Sequence, residues 1–275
     1  MGRNKKERII YYSDELNDDF AGKERVNKPL REDYNYNKKN IFFKIGSFIL
    51  YRLLATPVAF LVCKYHYRIK YTNKKAVKQV KGGYFLYINH TMSSGDAFNP
   101  SVITFPKTAR IVISHQAYSN PVTGYLVDRV GGIPLPNGLN QTKAFKEALK
   151  RSIDKKQCVT IYPEAHLWKY YTGIRPFKET SFRYPAEFNV PIFVATVVYS
   201  KRKFGKRPKA EVFVDGPFYP DGTLTVKQNA TLLRNQAYEI MCRRAENSES
   251  DYIKYIKIEP ETCADNDAKT NAISE

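Results

Sequence analysis

The sequence predicts an α/β domain, with a largely parallel sheet flanked by helices and an apolar, membrane-associating helical segment in front of it. Three observations carry that expectation. Short runs rich in β-branched and aromatic residues alternate with helical patterns from Tyr84 onward. Between Ile45 and Cys63 the only charge is Arg52. The 275-residue chain is 43% hydrophobic, enough for a sizeable core and too much for wholesale disorder.

In chain order, residues 1–40 mix charges of both signs with little apolar content, as expected of a mobile N-terminal extension. The opening stretch has no apolar run followed by a small-residue cleavage site, so it does not read as a signal peptide. Lys6 stands where a myristoylated chain carries Ser or Thr. Residues 41–65 form the apolar segment, about long enough to span a bilayer. Pro57 and Arg52 interrupt a clean span. One helix or two short ones lying in a single leaflet fit better, with Arg52 reaching out to the headgroups. A buried core helix has the same composition, and length alone does not separate the two readings.

The next stretch favours the membrane. Lys64 to Lys81 carries Lys64, Arg68, Lys70, Lys74, Lys75, Lys78 and Lys81 and no acid. A basic block beside an apolar segment suits an anionic cytoplasmic leaflet. The net charge of +18 asks for an anionic partner on a larger scale. Tyr and Lys interleave in this block, as in single-strand binders. No RNP, KH or zinc-finger pattern accompanies them, so no nucleic-acid partner is expected. Four scattered cysteines, Cys63, Cys158, Cys242 and Cys263, suit a reducing, cytoplasmic setting. The expected location is therefore the cytoplasmic face of a membrane, monotopic or peripheral.

Residues 66–258 hold the domain proper. Strands are expected at Tyr84–Asn89, Ala109–Ser114, Cys158–Pro163, Val190–Tyr199 and Lys209–Phe218. Helical stretches are expected between them, with a long helix over about Thr225–Arg244. Ser200–Lys209 reads as a basic hairpin turning at Gly205. Residues 259–275 read as a mobile tail.

The chemistry gathers at strand ends. In "YFLYINHTMSSGDAFNP" a hydrophobic strand stops at Asn89-His90, and Asp96 follows after five residues. Asp96 is the only acid between Asp33 and Asp128. A carboxylate on one ring nitrogen leaves the other free to take a proton from a hydroxyl, which makes a general base. Ser93, Ser94 and Asp96 are N-cap residue types, so a helix starting there can return Asp96 to the ring. An Asn-His turn with a capping Asp is the non-catalytic reading. Glu164, in "TIYPEAHLW", also follows a strand and should point into the same crevice.

Taken in order, "NH" with its downstream Asp, "VGGIPLP" (residues 130–136), Pro163-Glu164-Ala165-His166-Leu167 and the Val190-Pro191-Ile192 strand resemble the glycerolipid acyltransferase family, whose type is bacterial 1-acylglycerol-3-phosphate acyltransferase. The resemblance runs over roughly Ile41–Phe218. It implies His90 as base and Asp96 as its orienting partner. It implies an acyl-CoA or acyl-carrier-protein thioester as co-substrate, and a lysophospholipid hydroxyl as acceptor, typically that of 1-acylglycerol-3-phosphate. The sequence departs from the family pattern in three places. One residue more than usual separates His90 from Asp96. The third motif lacks its Gly and its phosphate-binding Arg, with His166 and Leu167 in that region. The second motif lacks its Arg. Arg175 offers the nearest guanidinium fork for an acceptor phosphate, with Lys178 next, and Arg129 or Lys143 could replace the second-motif Arg. Glu164, Arg175, His166 and Lys178 are thus the expected substrate-side residues.

Other readings remain beside this one. His90, Asp96, Glu164 and His166 could hold a metal, but no HExxH spacing supports it, and no metal is expected. Trp168, Tyr170 and Tyr171 could line a pocket or pack in the core. His66 and His115 read as structural, although His115 ends a strand and could face the crevice. No P-loop, GxGxxG or GxSxG is present, so no nucleotide cofactor and no serine hydrolase are expected. The alternative function is a basic membrane- or nucleic-acid-binding module on a degenerate acyltransferase fold.

Overall fold

A seven-stranded sheet runs through the centre of the computed structural model, which describes residues 8–20, 29–38, 40–114, 118, 121–202, 207–250 and 252–258. His115, the hairpin turn at Gly205 and the tail from residue 259 lie outside the described residues. The strands in chain order are β1 (Ile9–Tyr12), β2 (Lys70–Thr72), β3 (Tyr84–Ile88), β4 (Ala109–Ile113), β5 (Gly132–Pro134), β6 (Cys158–Ile161), β7 (Ile192–Ser200), β8 (Lys209–Phe218) and β9 (Lys254–Lys257). The main sheet has the order β2-β8-β7-β3-β6-β4-β5. Five strands, β7, β3, β6, β4 and β5, run parallel; β8 is antiparallel to β7, and β2 pairs parallel to β8.

β3 lies at the middle of this sheet, and every one of its residues is buried. Its side chains alternate between two cores. Phe85 and Tyr87 join Phe145, Leu149, Phe182 and Leu233 on one face, while Tyr84, Leu86 and Ile88 join Val77, Phe193 and Val212 on the other. A strand covered on both faces reads as continuous apolar sequence, and "YFLYI" does. The helices that supply the cover are α1 (Ile41–His66), α2 (Ser94–Thr104), α3 (Pro121–Arg129), α4 (Leu139–Asp154), α5 (Arg183–Phe188) and α6 (Val226–Ala245). α6 starts at a capping box between Thr225 and Gln228.

The apolar segment is one helix of 26 residues rather than two short ones. Asn40 caps it, accepting from the amides of Phe42 and Phe43 at 2.8 and 3.2 Å. It widens to π geometry at Leu50–Ala55, immediately before Pro57, and again at Val62–His66. The wider turn accommodates a residue with no N–H, so the helix continues past the proline. Tyr51, Thr56, Ala59 and Cys63 are buried along one side, and Ala59 and Cys63 pack with Val102 of α2. On the other side Phe42, Ile45, Phe48, Leu53, Leu54 and Leu61 are exposed. Arg52 departs from its expected outward reach. Its Nη2 donates to the Pro106 carbonyl at 2.6 Å and to Thr108 Oγ1 at 3.3 Å, because those acceptors at the start of β4 lie within its span.

Two described stretches of the expected N-terminal extension are bound to the domain. β1 pairs parallel with β9 in a separate two-stranded sheet. Farther along, Tyr36 Oη donates to the Pro134 carbonyl at 3.1 Å, Tyr34 Oη to Asp128 at 2.5 Å, and the Leu30 carbonyl accepts from Asn137 at 2.7 Å. Edge strand β5 gains cover in this way.

Candidate active site

Asn89 prepares the end of β3. Its side-chain amide donates to the Val197 carbonyl at 3.0 Å and accepts from the Val197 amide at 2.7 Å. Those two bonds extend the ladder to β7 by one side chain and fix where the backbone leaves the sheet. Sequence reading placed Asn89 at the end of the strand and in the Asn-His motif, but gave its side chain no partner. The amide–backbone pairing depends on β7, which is remote in sequence.

His90 follows, and its Nδ1 lies 2.7 Å from Asp96 Oδ2. The same oxygen accepts from the Met92 amide at 3.0 Å. The extra residue in the His–Asp gap is absorbed by the loop. Ser93 takes φ +57°, ψ −122°, and α2 then begins at Ser94, returning Asp96 to the ring. The Gly95 amide donates to the Met92 carbonyl at 3.1 Å, and Tyr67 Oη meets Ser94 Oγ at 2.6 Å. Tyr162 closes the other side: its ring lies 4.6 Å from the imidazole, and its hydroxyl donates to the Asp96 carbonyl at 2.5 Å. Asp96 is buried, its Oδ1 has no partner, and burial pushes its carboxyl above the ordinary range, opposed by His90 and the Met92 amide.

This geometry fixes a tautomer. A carboxylate at 2.7 Å accepts a hydrogen bond from Nδ1–H and keeps the ring proton on that nitrogen, which leaves a lone pair on Nε2. The His90 side chain is 22% exposed, and among the described residues nothing bonds Nε2. That nitrogen is the one a hydroxyl can reach.

Glu164 holds the histidine from below. Its Oε2 accepts from the His90 amide at 2.8 Å and its Oε1 from the Arg175 amide at 2.9 Å. The loop after it zips onto the histidine loop: the Trp168 amide donates to the His90 carbonyl at 3.2 Å, and the Tyr170 amide to the Thr91 carbonyl at 2.9 Å. Burial raises the Glu164 carboxyl above its ordinary range, and the Arg175 guanidinium with the two amides pulls it back down. Glu164 thus ties the His90 amide to the Arg175 amide, at the strand-end crevice where His90 lies.

Arg175 does not offer its fork to the crevice. It is buried, its Nη2 lies 3.8 Å from Glu164 Oε2 and donates to the His166 carbonyl, and Nη1 donates to the Glu15 carbonyl at 3.3 Å. Its guanidinium sits 4.9 Å over Trp168. A buried Glu164 needs a cation close by, and Arg175 meets that need. The proposed phosphate contact is corrected accordingly. His166 is half-buried, with Nδ1 3.6 Å from Asp19, and Lys178 is exposed just before the turn at Glu179. Trp168 belongs to an aromatic cluster with Tyr12, Phe20, Tyr171 and Tyr255, and its Nε1 donates to the Asp18 carbonyl at 2.7 Å. That cluster packs the β1–β9 sheet onto the Glu164 loop. Arg129 is held between the rings of Phe43 and Tyr125, away from this edge. Lys143 is exposed on α4. Among the described residues, no three His, Cys, Asp or Glu side chains converge on a metal-sized site.

Residues 68–200 match the family model described as Acyltransferase. The fold is similar to the crystal structure of the 1-acyl-sn-glycerophosphate (LPA) acyltransferase PlsC from Thermotoga maritima, with TM-score 0.51 and 15% identity over 74% of this chain and 86% of that one. No curated protein matches in sequence. The matched segment runs from the basic block, through His90, Asp96 and Glu164, to the end of β7. That domain, residues 68–200, belongs to the acyltransferase family.

Proposed function

We propose that this chain moves an acyl group from an acyl-CoA or acyl-carrier-protein thioester to the hydroxyl of a lysophospholipid, with 1-acylglycerol-3-phosphate as the first acceptor to test. The observation that carries the reading is the 2.7 Å contact between His90 Nδ1 and Asp96, with Nε2 open. The acceptor hydroxyl gives its proton to Nε2 as its oxygen bonds to the thioester carbonyl carbon. The tetrahedral intermediate then expels the thiolate, which takes the proton back from His90 and leaves as a thiol. Each time the ring becomes cationic it faces the Asp96 carboxylate, whose charge is costly while the ring is neutral. The pair thus stabilises the charge that develops during the reaction. With Arg175 committed to Glu164, the acceptor phosphate falls to exposed cations, of which Lys178 is our candidate.

We place α1 in one leaflet of a membrane, on the cytoplasmic side. Its most apolar 18-residue window has a mean hydropathy of 1.8 and is only 17% buried, and its buried side lies along the domain rather than leaving it. The basic block that follows α1 suits an anionic headgroup layer. No cofactor is required beyond the thioester.

The test offers labelled acyl-CoA, then acyl-carrier protein, to the purified chain in vesicles with a panel of lysophospholipids. Labelled diacyl product is the expected result. No product from any donor and acceptor pair would leave a binding module on this fold as the better account.

A further inference from the structure

A cavity of about 350 Å³ lies at the edge of the sheet opposite His90. Its walls come from the start of β4 and β5, the last turns of α4, the first half of α1 and the Tyr34–Lys38 segment. Strands β3, β4, β5 and β6 run parallel, so their first residues and the end of β3 mark opposite edges.

The lining holds seven basic side chains and one acid, Asp128, so charge is unbalanced there. Asp128 is already occupied by Lys38 at 3.1 Å and by the hydroxyls of Tyr34 and Tyr118. Arg110 donates Nε to Gln157 at 3.0 Å, and Arg151 reaches the Tyr36 carbonyl and Glu147. Lys44 and Lys155 have no acidic partner among the described residues. Lys155 is crowded by like charge: burial first, then Arg110, Lys44 and Arg151, push its ammonium below its ordinary value. Two buried polar atoms in the wall, Arg129 Nε and Ser47 Oγ, have no hydrogen-bond partner. Gly46 makes room for Arg129, since a Cβ there would lie 2.6 Å from its Nη1.

We infer that this cavity is a second ligand site, separate from the acyl-transfer centre, that takes a phosphate-bearing anion. Converging guanidinium and ammonium donors with an unpaired buried N–H are the chemistry that recognises phosphate oxygens. The volume suits a phosphate ester the size of a glycerophosphate. Such a group is found on a membrane lipid, whose chains could lie along the exposed Phe48 side of α1, or on a soluble metabolite.

Three full-length variants test this. Lys44→Ala/Lys155→Ala removes two cavity charges. Lys78→Ala/Lys81→Ala removes two charges from the basic block. Gly46→Ala changes no charge and displaces the flexible end of Arg129, while favouring the helix. Binding is measured to phosphatidylcholine vesicles with and without phosphatidic acid, and to glycerol 3-phosphate by calorimetry. The expected result is about tenfold weaker binding for the Lys44/Lys155 variant and for Gly46→Ala, exceeding any loss in Lys78/Lys81. The loss in vesicles alone assigns a lipid headgroup, and the same loss with glycerol 3-phosphate assigns a free phosphate ester. Unchanged binding in Gly46→Ala, or equal losses in the two lysine variants, would reduce the effect to surface charge and overturn the site. Melting curves confirm that each variant is folded.

Discussion

Asp96 carries a cost that its proposed role relieves. It is buried with one oxygen unpaired, and burial lifts its carboxyl above the ordinary range. Between that range and the raised value, the folded protein holds a proton that the unfolded chain has released. The group's contribution to stability therefore falls as pH rises through that window. Asp96→Asn should flatten this part of the profile, measured by chemical denaturation across weakly acidic pH. The same variant should lose at least about 10²-fold in turnover, because the amide no longer stabilises a cationic ring. A variant that keeps full activity would remove Asp96 from the mechanism.

At the level of loops and strands, the histidine is held by a loop that Glu164 and Arg175 lock. Arg175→Ala leaves a buried carboxylate without its cation and should cost about 3–5 kcal/mol in stability. Glu164→Gln added to it should restore part of that loss by removing the orphaned charge. Denaturant titration reads both. If Arg175→Ala instead leaves stability intact and raises only the acceptor KM, the guanidinium serves the phosphate after all. This loop also marks how far the sequence could be read. The β3 and β6 strands and the polar residues that follow them, His90 and Glu164, are visible locally, because a doubly covered strand is apolar throughout and its end is polar. The partnership of Arg175 with Glu164 is not, since residue type suggests a phosphate fork and only tertiary burial shows the fork to be used. β1 and β9 were missed because each is short and finds its partner at the far end of the chain.

Over the whole molecule, the exposed side of α1 and the basic block lie at consecutive positions and call for one surface. Phe42 and Phe48 are 80% and 65% exposed, so replacing both with Asp should leave melting nearly unchanged. It should weaken vesicle co-sedimentation by at least about tenfold, given about 1.5–3 kcal/mol for burying one such side chain. Undiminished co-sedimentation would place the membrane contact elsewhere. The apolar run and the basic block were legible as composition. The cationic cavity was not, because its walls come from five separate segments and form no linear motif.

The measurement that tests the central claim most directly is acyl transfer by His90→Ala against the unaltered chain, with the best donor and acceptor pair and equal vesicle binding verified. A fall in kcat of at least about 10²-fold is predicted, since the proposed mechanism gives the hydroxyl proton to this ring. Transfer at an undiminished rate would contradict the account and assign the chemistry to another group.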